Sequence, residues 1–434
     1  MKLLIQCLLV LLFYLASAGR VYAALTIEIS QGVDSALPIA VAPFDTSKVS
    51  GRFAVDLADI ISKDLNRSGV LKVLVRDLLP ARPHYSQQVD YRQWKSAGQD
   101  YLVIGRVLET SAGVYNVQFQ LLDILKKKQL IGYKLPVKQD SPRSVAHEIS
   151  DLIYEKITGT PGAFNTRIAY IRVQPGQTKL YTLQVADTDG FNAQTVLESS
   201  EPLMSPSWSP DGQSLTYVSF ENKRPEIFIQ HLATAQRRRI SAFNGINGAP
   251  SWSADGKNLA LVLSKDGGAD IYVMNIANKQ LRRLTHHRSI DTEPVWTEDD
   301  QAIIFTSNRG GQPQLYEITV ENGKPRRLTF EGPYNSAATL SADGQYMAMV
   351  HGEHGGYRIA RLERQTGNLI VLTDGSLDES PSFSPNGKFV VYGSKRGDRS
   401  VLHVVSVDGL SKYQISDQAG DIRDPVWGPY KPRR

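Results

Sequence analysis

The sequence predicts a multidomain chain: an N-terminal mixed α/β domain followed by a six-bladed β-propeller closed by the C-terminal strand. Three observations carry this. A cassette of about forty-four residues recurs through the last two-thirds of the chain. The front third does not share it, and the array begins and ends on partial cassettes that together make one blade.

The cassette is marked by a tryptophan or its replacement, mostly with a proline two residues before it and an Asp-Gly turn after it. Pro206-Ser207-Trp208-Ser209-Pro210-Asp211-Gly212 and Pro250-Ser251-Trp252-Ser253-Ala254-Asp255-Gly256 are full copies. Pro294-Val295-Trp296-Thr297-Glu298-Asp299-Asp300 is worn, and Leu340 and Phe383 replace the tryptophan in the next two. Pro425-Val426-Trp427 ends the series. The second copy shows four short strands, Ala249–Trp252, Leu259–Leu263, Ile271–Asn275 and Arg282–Leu284, with Asp255-Gly256 turning the first hairpin. One such unit cannot cover both its apolar faces, so blades stack about an axis. The first partial unit, residues 168–197, lacks the tryptophan strand, and residues 425–429 supply it.

Residues 1–23 read as a secretory signal peptide. Lys2 precedes the apolar run Leu3 to Ala18, and Val21 and Ala23 stand at the −3 and −1 positions of a small-residue cleavage site. An uncleaved anchor helix is the competing reading, against which the run is short for a span of about 20 residues. No later stretch is long enough to cross a bilayer. The only cysteine, Cys7, lies in this peptide, which suits an oxidising compartment such as the bacterial periplasm.

The segment 24–35 opens the mature chain, with Leu25 to Ile29 alternating as a strand does. Residues 36–162 form the α/β domain. Its expected elements are a strand over Pro38 to Phe44, a helix over Phe53 to Leu65, a strand over Val70 to Val75 and a short helix over Tyr91 to Ala97. Strands Tyr101–Glu109, Val114–Leu122 and Gln129–Val137 and the helix Ser144 to Ile157 complete it. Gly159-Thr160-Pro161-Gly162 punctuates its end. Residues 163–434 are the propeller.

Charge and motifs narrow the function. Without Lys2 and Arg20 the 49 basic residues become 47 against 44 acidic, a net +3, which is no nucleic-acid-binding balance. The doubled arginines Arg238-Arg239, Arg282-Arg283 and Arg326-Arg327 fit solvated outer strands, where charge discourages edge pairing. A peptidase reading fails for want of Gly-x-Ser-x-Gly. His147-Glu148 is followed by Ile149-Ser150-Asp151, so no His-Glu-x-x-His forms. His286-His287, and His351 with His354, read as loop features, and no phosphate-cradling glycine motif is present. No cofactor or metal is expected.

The segments entering each innermost strand share one face and rim the channel. They carry Met204, Asn247, Thr292, Glu293, Asp378, Glu379 and Asp424, and polar, varied loops of this kind suit a protein partner.

Particular residues resemble one family over nearly the whole mature chain. They are Gly32-Val33-Asp34-Ser35 with Pro38-Ile39-Ala40-Val41-Ala42-Pro43-Phe44, Ala163-Phe164-Asn165-Thr166-Arg167-Ile168-Ala169-Tyr170, Pro202-Leu203-Met204-Ser205-Pro206, Asn247-Gly248-Ala249-Pro250, and Asn308-Arg309-Gly310-Gly311-Gln312-Pro313-Gln314. The sequence is identified as a member of the TolB family, periplasmic propeller proteins of the Tol-Pal system in Gram-negative bacteria. The resemblance implies a non-enzymatic adaptor between the TolQ-TolR-TolA machine and the outer-membrane lipoprotein Pal, supporting envelope integrity and constriction at division. It implies a Pal site at Met204, Ile246, Asn247, Ala249, Thr292 and Glu293. It also implies a TolA site at Ala24, Leu25, Thr26, Ile27, Glu28 and Ile29, whose alternation suits an added β-strand. The chain is expected to be monomeric apart from its complexes. The rival readings are a propeller-type hydrolase and a small-ligand receptor of the periplasm.

Overall fold

The computed structural model describes residues 36–50, 53, 55–138, 141–176, 179–353, 355–415 and 420–431. The signal peptide, the segment 24–35 with its TolA-site residues, and His354 lie outside the described residues.

The first domain is a six-stranded sheet with helices on both faces. Strands β1 (Leu37–Val41), β2 (Asp45–Lys48), β3 (Leu71–Val73), β4 (Tyr101–Ser111), β5 (Val114–Asp123) and β6 (Lys128–Lys138) run in the order β3-β1-β4-β5-β6, with β2 beside β4. β1 is parallel to β3 and β4, whereas β4, β5 and β6 form an antiparallel meander. Helix α1 (Leu57–Arg67) starts at Asp56, whose carboxylate accepts from the Asp59 amide. Helix α2 is Tyr91–Ser96, and α3 (Pro142–Thr158) has proline in its first turn and Gly159 at φ 76° to end it. The alternation of the strands sorts the core. Ile39, Val41, Val103, Val117 and Phe119 meet α1 and α3 on one face. Ala40, Ala42, Leu102, Ile104 and Leu122 meet Trp94 of α2 on the other.

The rest is a ring of six four-stranded sheets. The first blade is Leu203–Trp208, Ser214–Ser219, Glu226–His231 and Arg237–Ser241. The next four blades have innermost strands Asn247–Trp252, Asp291–Trp296, Tyr334–Leu340 and Asp378–Phe383. The sixth joins both ends of the array. Asp421–Trp427 lies antiparallel to Arg167–Gln174, with Trp427 opposite Ile168, and Leu180–Asp187 and Gln194–Ser199 complete the sheet. The expected closure by the C-terminal strand is therefore present.

Each repeat mark has a packing role. The indole N–H of Trp208 donates to Val426 O at 3.2 Å, that of Trp252 to Thr216 Oγ1 at 3.1 Å, and that of Trp296 to Ser251 O at 3.1 Å. These three tryptophans thus pin their blade to the preceding one. In the Asp-Gly turns, and in Asn386-Gly387, only the second residue has positive φ, as at Gly212, Gly256, Gly344 and Gly387. Asp300, in place of glycine, takes φ 59°, and its carboxylate accepts from the Ala254 and Asp255 amides at 2.7 and 2.9 Å. That worn turn instead braces the preceding blade. The doubled arginines lie on outermost strands.

The two domains meet at a buried polar seam. Arg67 at the end of α1 lies between the Phe164 and Tyr413 rings, 5.5 and 5.8 Å from their centroids, and pairs with Asp64 at 2.7 Å. Ser411 Oγ donates to Arg67 O, and Asn386 Nδ2 to Pro161 O. Ser411, Asn386 and the 187–194 turn all lie at the ends of blades away from the strands' channel entry. The α/β domain therefore sits on the propeller face opposite the candidate site.

Candidate partner-binding face of the propeller

The expected site residues lie where chain enters the innermost strands, but mostly in strand rather than loop. Met204, Asn247, Ala249, Thr292 and Glu293 are strand residues, and only Ile246 precedes its strand. The reason is a bulge. In all six innermost strands the pairing with the second strand slips, at Met204/Ser207, Gly248/Ser251, Thr292/Val295, Ser336/Thr339, Glu379/Ser382 and Arg423/Val426. Within each slip stands one non-glycine residue with left-handed φ: Ser205 (51°), Ala249 (43°), Glu293 (52°), Ala337 (51°), Ser380 (53°) and Asp424 (47°). Five of the six precede a proline. This conformation costs an L-residue about 1–2 kcal/mol, and such outliers cluster at functional sites.

The bulges free backbone N–H groups, and acids take them up. Glu293 Oε2 accepts from the Ala337 amide of the next blade at 2.9 Å and from Thr306 Oγ1 at 2.8 Å. Asp424 accepts from the Ser205 amide at 2.9 Å and from Ser380 Oγ at 3.4 Å. Burial pushes the Asp424 carboxyl above its ordinary range, and burial together with the neighbouring Asp424 does the same to Glu379. Asp378 is buried with neither oxygen bonded.

Outside this ring, large apolar side chains stand exposed in polar entries. Met204 (39 % exposed), Ile246 (47 %), Ile290 (57 %) and Phe330 (74 %) stand in successive entries. Asn247, by contrast, is fully buried. Its Oδ1 accepts from Ser241 Oγ and the Phe243 amide, and its Nδ2 donates to Phe243 O and Gly245 O. It holds the loop that presents Ile246. Ile290 and Phe330 are marked in the sequence only as large apolar residues in otherwise polar entries.

A hydroxyl, an imidazole and a carboxylate do come together in the 285–293 entry. His287 Nδ1 lies 2.7 Å from Ser289 Oγ, which also lies 3.3 Å from Asp291 Oδ1. The serine is in the middle, and Asp291 is paired with Arg309 at 2.7 Å instead of orienting the imidazole. That order does not make the serine a nucleophile, since a triad needs the imidazole between hydroxyl and carboxylate. The face offers exposed apolar side chains in polar entries beside an acidic mouth in which Glu293 and Asp424 are hydrogen-bonded.

Comparison with known proteins agrees with this architecture. The model of the TolB amino-terminal domain matches residues 25–130, and that of the TolB beta propeller domain matches residues 154–431. A Tol-Pal system protein TolB from Hydrogenovibrio crunogenus is 56 % identical over 95 % of this chain and 96 % of its own. One from Thioalkalivibrio sulfidiphilus is 54 % identical over 97 % of both. The crystal structure of TolB from Acinetobacter baumannii superposes with a TM-score of 0.86 at 42 % identity, covering 94 % of this chain and 100 % of that one. By both domains, in order and over nearly its whole length, the chain belongs to the TolB family.

Proposed function

We propose that this chain is a non-catalytic periplasmic adaptor of the Tol-Pal system. It binds the lipoprotein Pal on the channel face and TolA through residues 24–35, and so supports outer-membrane integrity and constriction during division. The observation that carries the reading is the exposure of Met204, Ile246 and Ile290 in the entries to the bulged strands, on the face away from the α/β domain. Such apolar exposure beside a polar centre fits a protein partner. Met204, Ile246, Thr292 and Glu293 are the contact residues of this proposal. Asn247 and Ala249 act by setting the backbone. Glu293 and Asp424 are occupied in bonds to backbone and hydroxyl groups, which favours an adaptor over a hydrolase.

The experiment is calorimetry with purified Pal and TolA. Glu293→Lys removes the acceptor of the Ala337 amide and Thr292→Arg crowds the mouth. Each is expected to weaken Pal binding at least tenfold, about 1.4 kcal/mol, with an unchanged circular-dichroism spectrum. Deletion of residues 24–30 is expected to abolish TolA binding and spare Pal. Unchanged Pal affinity in both substitutions refutes the face, and undiminished TolA binding refutes the segment.

A further inference from the structure

At the seam between the domains a histidine and two aspartates converge. His147 comes from α3; Asp187 and Asp189 come from the end of the sixth blade's third strand and the turn after it. One ligand atom from each lies within 4.8 Å of the others. His147 is 1 % exposed, and its Nδ1 is engaged by Asp64 Oδ2 at 2.7 Å. Its Nε2 has no hydrogen-bond partner and faces Asp189 Oδ2 at 3.5 Å.

We propose that His147 Nε2, Asp187 and Asp189 form a divalent-cation site of the zinc class that clasps the two domains together. Two physical features support it. First, the Asp64 carboxylate on Nδ1 fixes the ring with Nε2 aimed at Asp189, as second-shell acids do for metal-binding histidines, and a cation there takes the place of the Nε2 proton. Second, zinc bonds of about 2.0–2.2 Å in a tetrahedron put ligand atoms roughly 3.4 Å apart. The Nε2–Oδ2 separation of 3.5 Å matches that edge and is long for a hydrogen bond. Asp187, only half-buried, needs a small side-chain movement to complete the triangle.

The aspartates have other bonds that the cation must share. Asp189 Oδ2 accepts from Arg143 and its Oδ1 from the Phe191 amide, and Asp187 Oδ2 accepts from Asn192 Nδ2 at 2.5 Å. Each carboxylate retains acceptor capacity for a metal bond. A nitrogen with two carboxylate oxygens and no thiolate suits zinc, cobalt or nickel better than magnesium or calcium. Because the ligands come from both domains, bound metal raises the stability of their joint arrangement.

The test is titration of the full chain with zinc chloride by isothermal calorimetry, together with thermal melting. One zinc per chain is expected, with a raised melting temperature. Asp187→Asn, at the half-buried margin where folding tolerates the change, is expected to weaken binding by about 10-fold or more and to remove the melting shift. His147→Gln should abolish both; if it fails to fold, Asp187→Asn carries the test alone. The proposal is overturned if the wild-type chain takes up no zinc, if Asp187→Asn binds as well as wild type, or if only the His286→Ala, His287→Ala double variant loses binding. It is also overturned if histidine nitrogen NMR shows His147 as an imidazolium that zinc does not alter.

Discussion

Trp427 is the residue on which closure of the ring can be measured. It is buried in a cluster with Ile168, Phe389, Val391 and Val404, so its indole joins the fifth and sixth blades. Its backbone amide donates to Ser382 Oγ at 3.0 Å and its indole N–H to Thr166 Oγ1 at 2.8 Å. Replacing a buried tryptophan by alanine costs about 3–5 kcal/mol. Trp427→Phe retains most of the packing and removes the indole N–H. Thr166 then still donates to Ala163 O at 2.6 Å, so only one acceptor lone pair is orphaned, and the cost is about 1–2 kcal/mol. At about 2–4 °C per kcal/mol for domains of 150–250 residues, Trp427→Ala should lower the melting temperature by about 6–20 °C and Trp427→Phe by about 2–8 °C. The ring is longer than those domains, which places both toward the low end. Differential scanning calorimetry reads this directly, with Trp296→Ala, equally buried, as the comparison within the array. Closure by the terminal strand is refuted if Trp427→Ala melts within about 2 °C of wild type while Trp296→Ala falls as a buried tryptophan should.

Two further outcomes test the strain and the charge of the fold. Ala337→Gly relieves about 1–2 kcal/mol of left-handed strain against an unfolded-state entropy cost of about 0.4–1 kcal/mol. It should therefore raise the melting temperature by about 1–3 °C, and a fall shows the bulge to be unstrained. His403 is buried with Nε2 unbonded, and burial, aided by Arg396 and Lys412, pushes its pKa down to about 4. The unfolded chain, titrating near 6.5, binds the proton first. Stability from His403 is therefore full above that value and lost as pH falls toward 4, by about 3 kcal/mol over the window. His403→Phe keeps the contact with the Tyr392 ring and should flatten this acid limb in urea titrations. An unchanged slope refutes the assignment. His147 works in the opposite sense. Burial lowers its pKa, but Asp64 and Asp189 outweigh that and raise it, so its contribution is present in acid and fades as pH rises through the raised value.

Much of the architecture was legible because it is written in spacing. The period located every innermost strand, and the mismatch of the two partial cassettes located the closure between Asp421–Trp427 and Arg167–Gln174. Helix α1 begins at Leu57, four residues after the Phe53 that the apolar stripe suggests, because Val55 fits the stripe but Asp56 caps the helix. β2 carries no mark in the sequence. Its residues Asp45–Lys48 carry no apolar alternation and are held by pairing with β4, a tertiary cause. The seam was illegible for the same reason: Asp64, Arg67, His147 and Asp189 are scattered in sequence and look like surface charges until the fold buries them.

The bulge ring is a different case, since its mark was in view. A proline inside a strand must stand at an edge or a bulge, and Pro206, Pro250, Pro294, Pro381 and Pro425 recur inside innermost strands. Read as a companion of the tryptophan, each proline marks the repeat. Read as a residue unable to donate to a ladder, it places the slip one residue earlier, at Ser205, Ala249, Glu293, Ser380 and Asp424. The fourth blade separates the two readings. Ala338 stands where the proline would be, yet Ala337 keeps φ 51° and the pairing still slips between Ser336 and Thr339. Proline is therefore not the cause of the bulge. The ring geometry imposes it on all six blades, and proline fills five of them because the slip leaves no ladder bond for its missing N–H to break. Residues at and before the slip are thereby released from the repeat's inward alternation, which is why the proposed contacts Met204, Thr292 and Glu293 differ in type from blade to blade while the position behind them stays large and apolar, tryptophan in four blades and Leu340 or Phe383 in the other two.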